Sequence, residues 1–111
     1  MLGMNHYDKE YIEDENVTVL KIFGDEKQTA IELIESEDSE SSINKFINKK
    51  GEGLHHIALN IDNLENAIAF LKSKDISLVY DNPKLGSNNS IINFIHPEST
   101  PGILIELCQK M

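Results

Sequence analysis

Two adjacent histidines and two glutamates are the side chains of this sequence whose types and spacing best suit chemistry. The histidines are His55 and His56, at the head of the run GLHHIALNID, and the glutamates are Glu32 and Glu106, each the centre of an Ile-Glu-Leu tripeptide. Imidazole nitrogen and carboxylate oxygen are ligands that suit several divalent metals. Carboxylates can also transfer protons. These residue types therefore indicate a divalent-metal site with acid–base chemistry.

The two histidines cannot share a role if they lie on one strand, because neighbouring strand residues face opposite sides of a sheet. His56 shares its face with Leu54 and Ala58, and each glutamate likewise has apolar neighbours on its own face. His55 lies instead on the opposite face, with a stripe of apolar residues that begins at Ile57 and continues through Leu59 and Ile61. We therefore assign chemistry to His56, and we expect His55 to serve in packing or in a surface contact.

The metal hypothesis for Glu32, His56 and Glu106 competes with a plainer interpretation. An unpaired carboxylate on a buried apolar face costs on the order of several kcal/mol, which a bound cation would offset. Alternatively, both glutamates lie at strand ends near water and His56 is a hydrogen-bonded core residue. No short ligand motif such as HExxH decides between the two. A thiol nucleophile made of Cys108 and His96 is disfavoured, because nothing in the sequence orients the pair.

Length and charge limit the classes of function. The 111 residues are enough for one domain, and the formal net charge of −9 disfavours nucleic acid and anionic membranes as partners. No apolar run is long enough to span a bilayer, and the N-terminal residues do not resemble a signal peptide. The single cysteine, Cys108, is typical of a reducing compartment, so we expect a cytoplasmic protein.

Periodicity and turn signals predict six strands and two helices. Residues 10–15 read as a solvated connection, and residues 82–90 read as a turn-rich loop. The predicted elements are strands over 16–23 and 29–35, a helix over 43–50, a strand at the double histidine, a helix from about residue 63 to 74, and strands over 76–80, 91–95 and 103–108.

The chain contains an internal repeat that ends at each Ile-Glu-Leu. The segments from Asn16 to Leu33 and from Asn89 to Leu107 both run strand, turn, strand, and from Gly53 onward the order is β-α-β-β-β. We predict an α+β fold of paired βαβββ modules in a single domain, 1–111. The first module, 1–50, is incomplete because it lacks its opening strand and helix, and the second occupies 51–111.

The runs GEGLHHIALNIDNLENAIAFL and VYDNPKLGSNNSIINFIHPESTPGILIELCQ closely resemble the methylmalonyl-CoA epimerases, a family of the vicinal-oxygen-chelate, or glyoxalase-like, superfamily. The segment that matches HPxSxxGxLIEL is the most specific part. The resemblance implies one divalent metal, such as cobalt, manganese, nickel or zinc. It implies that Glu32, His56 and Glu106 are three of the four ligands. The fourth, a histidine on the first strand, has no counterpart in this sequence.

The activity that the resemblance implies is interconversion of the C2 epimers of methylmalonyl-CoA through a metal-stabilised enolate, by a homodimer. Glu106 is then one of the two acid–base groups that must flank C2, and the second is not assigned. Two alternatives stay open at this point: a glyoxalase I-type lyase with the same metal site, and a non-catalytic binding domain or inactive fragment of the same fold.

Overall fold

The chain divides between Gly53 and Leu54 into two units, unit 1 (Met1–Gly53) and unit 2 (Leu54–Met111). The computed structural model describes residues 3–26 and 29–111. Each unit has its own antiparallel or mixed sheet and one α-helix. None of the helices in the described ranges is both long and apolar enough to cross a membrane.

Unit 1 is a three-stranded antiparallel sheet followed by a helix. The strands, in the order β1-β2-β3, are β1 (His6–Ile12), β2 (Val17–Phe23) and β3 (Ala30–Glu35), and the helix is α1 (Ser42–Lys50). The Ser41 side chain caps α1 by accepting a hydrogen bond from the Asn44 backbone N–H. Val17, Val19 and Ile43 form the buried core between sheet and helix.

Unit 2 has the βαβββ order that the sequence predicts. Its elements are β4 (His56–Asn60), α2 (Leu64–Ser73), β5 (Lys84–Gly86), β6 (Ser90–Ile95) and β7 (Leu104–Lys110), with the strands in the order β4-β7-β6-β5. β4 runs parallel to β7, while β6 runs antiparallel to both β5 and β7. The helix α2 is the crossover that a parallel pair requires.

The core of unit 2 lies between α2 and β7. Leu64 and Ile68 are one turn apart on α2 and bury themselves against Leu107, with Ile105 packed at the edge of the cluster. The helix starts where the Asn63 side chain accepts a hydrogen bond from the Asn66 backbone N–H. This packing fixes which face of β7 meets the helix, and therefore which face is left for Glu106.

Three predicted element assignments are wrong, and each has a physical reason. β1 falls partly in the predicted connection, because its sequence HYDKEYI is charged and only Ile12 is not exposed. Residues 76–80 form no strand beyond an isolated bridge between Leu78 and Ile95. In this segment the fully buried Asn93 side chain accepts a hydrogen bond from the Tyr80 backbone N–H and donates one to the Tyr80 backbone C=O. Residues 82–90, which the sequence predicts as a loop, contain the strand β5.

Candidate functional site

His56 and Glu106 come together on neighbouring parallel strands of unit 2. In the register of β4 and β7, His56 lies opposite Leu104 and Ala58 lies opposite Glu106. Since residues two apart share a face, His56 and Glu106 project from the same side of the sheet. His56 Nε2 is 3.6 Å from Glu106 Oε1, and the two side chains are only 10% and 16% exposed.

The distance between these two atoms suits a shared cation better than a direct contact. At 3.6 Å the pair is too far apart for a hydrogen bond. Two donors that each bind one metal at about 2.0–2.2 Å lie about 3.0–3.6 Å apart when the angle at the metal is about 90–120°. The chemistry and spacing of His56 and Glu106 therefore fit two ligands of one divalent metal.

The second oxygen of Glu106 has its own partner in the sheet. The Cys108 thiol donates a hydrogen bond to Glu106 Oε2 at 2.7 Å. Cys108 is two residues further along β7. Because residues two apart on a strand share a face, the sequence alone could have predicted that Cys108 lies beside Glu106. His96, which the sequence also offered as a partner for the thiol, accepts a hydrogen bond from the Glu98 backbone N–H and caps a short 3₁₀ helix.

His55 contacts His56, and its predicted role in packing or in a surface contact stays a prediction. The Nδ1 atoms of the two rings are 3.0 Å apart, and the rings meet edge to face. In the stripe that begins at Ile57, Ile57 and Leu59 are 43% and 46% exposed, whereas Ile61 packs against the core of unit 2. Burial and, to a smaller extent, the neighbouring charge of His56 lower the pKa of His55 below 6.5.

Glu32 lies on β3 of unit 1. It faces Lys21 directly across the β2–β3 pair, and Lys21 Nζ is 3.6 Å from Glu32 Oε2. Both side chains are 21% exposed, so the lysine compensates much of the charge that the apolar strand would otherwise leave unpaired. The role of Glu32 as a metal ligand stays a prediction.

No three His, Cys, Asp or Glu side chains within residues 3–26 and 29–111 form a group that could hold a metal ion. A metal held by the His56–Glu106 pair would therefore need further ligands besides these two. A hollow in unit 1 is lined by Glu35, Glu37 and Asp38 together with Tyr11. It contains none of the predicted site residues, so we do not assign the chemistry to it.

Comparison with known proteins identifies the family. Residues 1–94 match the family model of the Glyoxalase/Bleomycin resistance protein/Dioxygenase superfamily. Because this match covers most of the chain, the chain belongs to that superfamily. The glyoxalase-like α+β fold that the sequence predicts is confirmed.

The relatives confirm the resemblance to methylmalonyl-CoA epimerases. The crystal structure of methylmalonyl-CoA epimerase from Mycobacterium tuberculosis superposes with a TM-score of 0.92 at 33% identity, over 99% of this chain and 73% of that one. The mitochondrial methylmalonyl-CoA epimerase of Mus musculus is 37% identical over 73% of this chain. The uncharacterised protein YqjC of Bacillus subtilis is 35% identical over 98% of this chain and 76% of its own length. This chain spans only 46% of the mouse protein.

Proposed function

We propose that this member of the superfamily catalyses the metal-dependent epimerisation of methylmalonyl-CoA at C2. The observation that carries the proposal is the His56–Glu106 pair, held 3.6 Å apart on one face of adjacent parallel strands. The relationship to methylmalonyl-CoA epimerases supports the choice of substrate.

His56, through Nε2, and Glu106, through Oε1, would hold the metal, with Glu32 as a further candidate ligand. A divalent cation bound there would supply a Lewis acid that neutralises the negative charge of the enolate. The C2 proton is acidic because it is α to the thioester carbonyl, so a carboxylate can remove it once that charge is offset. Glu106 is the acid–base group on one side of C2.

The surroundings of Glu106 suit a carboxylate with two tasks. Its Oε1 faces His56, while its Oε2 accepts the hydrogen bond of the Cys108 thiol. The thiol holds the carboxylate in one orientation, and the mostly buried position of Glu106 limits the access of water to it. Epimerisation also needs a second group that delivers a proton to the opposite face of C2.

Solvent deuterium uptake at C2 of methylmalonyl-CoA tests this proposal directly. The protein is treated with EDTA and assayed in D₂O with and without added Co²⁺, and the mass of the substrate is followed. We expect uptake that needs Co²⁺ and that falls in Glu106→Gln. Glu65→Gln is the matched control, because Glu65 is an exposed residue of the first turn of α2. Absence of uptake in the metal-loaded parent would refute the proposal.

The same preparation separates the two alternatives. A glyoxalase I-type lyase would convert the hemithioacetal of glutathione and methylglyoxal but would not exchange the C2 proton. A non-catalytic domain would do neither, while still binding methylmalonyl-CoA or the metal in a direct binding measurement.

The proposal includes a homodimeric assembly and a cytoplasmic location. We expect a homodimer, which is supported by the apolar surface that Ile57 and Leu59 leave exposed on the edge strand β4. Analytical ultracentrifugation at several concentrations tests it, and a monomer at every concentration would contradict it. Cys108 is the single cysteine of the sequence and cannot form a disulfide within the chain, which supports a cytoplasmic location.

A further inference from the structure

The contact between His55 and His56 arises where β4 begins. His56 is the first residue of the strand, so His55 lies before it, and strand alternation does not force the two rings onto opposite faces. Their Nδ1 atoms are 3.0 Å apart, within hydrogen-bond distance, and the ring planes are inclined by 85°. The two Nδ1 atoms can therefore form one hydrogen bond, in which one ring donates its proton and the other accepts it.

The position of that proton follows from the opposite end of the His56 ring. A neutral imidazole has one N–H donor and one acceptor nitrogen. His56 Nε2 is 3.6 Å from Glu106 Oε1, so it donates no hydrogen bond to that oxygen. If Nε2 is to bind a cation, its lone pair must be free and the proton of His56 must lie on Nδ1. His55 Nδ1 is then the acceptor, and the proton of His55 lies on its Nε2.

We propose that His55 is a positioning residue that fixes the tautomer of His56. Its Nδ1 accepts the hydrogen bond of His56 Nδ1–H, which holds the His56 ring in place and keeps the Nε2 lone pair directed to the side where Glu106 lies. The assignment of the proton to His56 Nδ1 rests on the proposed function, because it follows from cation binding at Nε2, and the tautomer itself can be measured in the metal-free protein. In metal sites, partners of this kind typically change metal affinity by about 10- to 100-fold when they are removed.

The tautomer can be measured without any substitution and without metal. In protein labelled with ¹⁵N-histidine, at a pH above the range in which histidine titrates, NMR separates protonated from unprotonated ring nitrogens. We expect His56 to carry its proton on Nδ1 in the metal-free parent. Predominant protonation of His56 on Nε2 would overturn the inference.

Two substitutions of His55 test whether it causes this preference. His55→Leu removes the acceptor, so we expect a mixture of His56 tautomers and an affinity for Co²⁺ that is lower by about 10- to 100-fold. His55→Asn keeps an acceptor oxygen at a similar place, so we expect it to retain most of the affinity. His6→Leu is the control, because His6 is an exposed histidine of β1 that pairs with Asp25. An unchanged His56 tautomer in folded His55→Leu would refute the role of His55.

The measurements also distinguish failure of this inference from failure of the proposed function. If the parent exchanges no C2 proton yet His56 shows the Nδ1–H tautomer and loses it in His55→Leu, the epimerase proposal fails and the positioning role stands. If exchange occurs and the Co²⁺ affinity of His55→Leu equals that of the parent, the epimerase proposal stands and the positioning role is wrong.

Discussion

The two Ile-Glu-Leu tripeptides of the chain have the same strand geometry and different surroundings. In both, the glutamate faces away from its isoleucine and leucine neighbours, as strand alternation requires. Glu32 meets a lysine directly across the sheet, at 3.6 Å from Lys21. Glu106 meets a histidine and a thiol, at 3.6 Å from His56 and 2.7 Å from Cys108. One carboxylate is charge-compensated by its neighbour, and the other lies beside a histidine, a side chain of a type that can bind a metal.

The opposite faces of the two tripeptides differ as well. Leu107 is 4% exposed beneath α2, whereas Ile31 and Leu33 are 49% and 53% exposed. A helix covers the apolar face of β7, and the helix of unit 1 packs on the other side of its sheet, where Ile34 contacts it. Strand alternation therefore sets orientation, and the neighbouring elements decide whether a residue is core, surface or site.

The largest difference that we expect concerns the two glutamates. Glu106→Gln should lower the rate of C2 proton exchange by about 10³-fold, because an amide cannot accept the proton. Glu32→Gln should lower it by about tenfold or less, because the amide oxygen can still bind a cation. Single-turnover deuterium uptake measures both. Equal losses in the two variants would remove the distinction between the tripeptides.

The two leucines should differ in their contribution to stability. Leu107→Ala should lower the free energy of unfolding by about 2–5 kcal/mol, because it leaves a cavity beneath α2. Leu33→Ala removes a half-exposed side chain and should cost less than about 1 kcal/mol. Urea unfolding followed by circular dichroism gives both values. A cost at Leu33 as large as that at Leu107 would mean that the face of β3 is covered in solution.

The buried polar side chains extend the comparison to smaller effects. Asn93 is fully buried and bonds the N–H and C=O of Tyr80, so Asn93→Ala should cost about 1–3 kcal/mol. Ser41 caps α1 in unit 1, and Ser41→Ala should cost about 1 kcal/mol. Hydrogen exchange can localise the two losses, which we expect at residues 78–80 and in the first turn of α1. Exchange that stays slow at residues 78–80 in Asn93→Ala would contradict this role.

The ion pair of unit 1 gives a further stability test at Lys21. Both side chains of the pair are only 21% exposed, so Lys21→Met removes the charge that compensates Glu32 and should lower the free energy of unfolding by about 1–3 kcal/mol. If Glu32 is a metal ligand, the same substitution should raise the affinity for Co²⁺, because the lysine charge no longer competes for the carboxylate. An affinity that is unchanged in both Lys21→Met and Glu32→Gln would exclude Glu32 from the site.

Much of the fold was predictable because the spacing of apolar residues indicates helices and strands. The spacing of Leu64, Ile68 and Leu71 predicted α2, and alternation predicted that Leu107 and Glu106 face opposite sides. β1 was missed because charged residues on an exposed strand carry no apolar period. The segment around Tyr80 was assigned as a strand because periodicity cannot show a buried side chain bonding the backbone.

The site was predictable in part for related reasons. Alternation and the internal repeat predict that His56 and Glu106 share their faces with apolar residues, but only the register of β4 and β7 brings the two side chains together. The contact of Cys108 with Glu106 was available from their spacing. The contact of His55 with His56 was not, because it depends on the residue at which β4 begins.

The most direct test of the central claim is the affinity for Co²⁺ of the parent, His56→Ala, Glu106→Ala and the double variant, followed by the cobalt absorption bands. If the two side chains bind one ion, each single variant should lose at least about 100-fold in affinity. The double variant should then lose far less than the product of the two losses. A shared metal at His56 and Glu106 would be contradicted if either single variant bound Co²⁺ as tightly as the parent. It would also be contradicted if the loss in the double variant equalled the product of the two single losses.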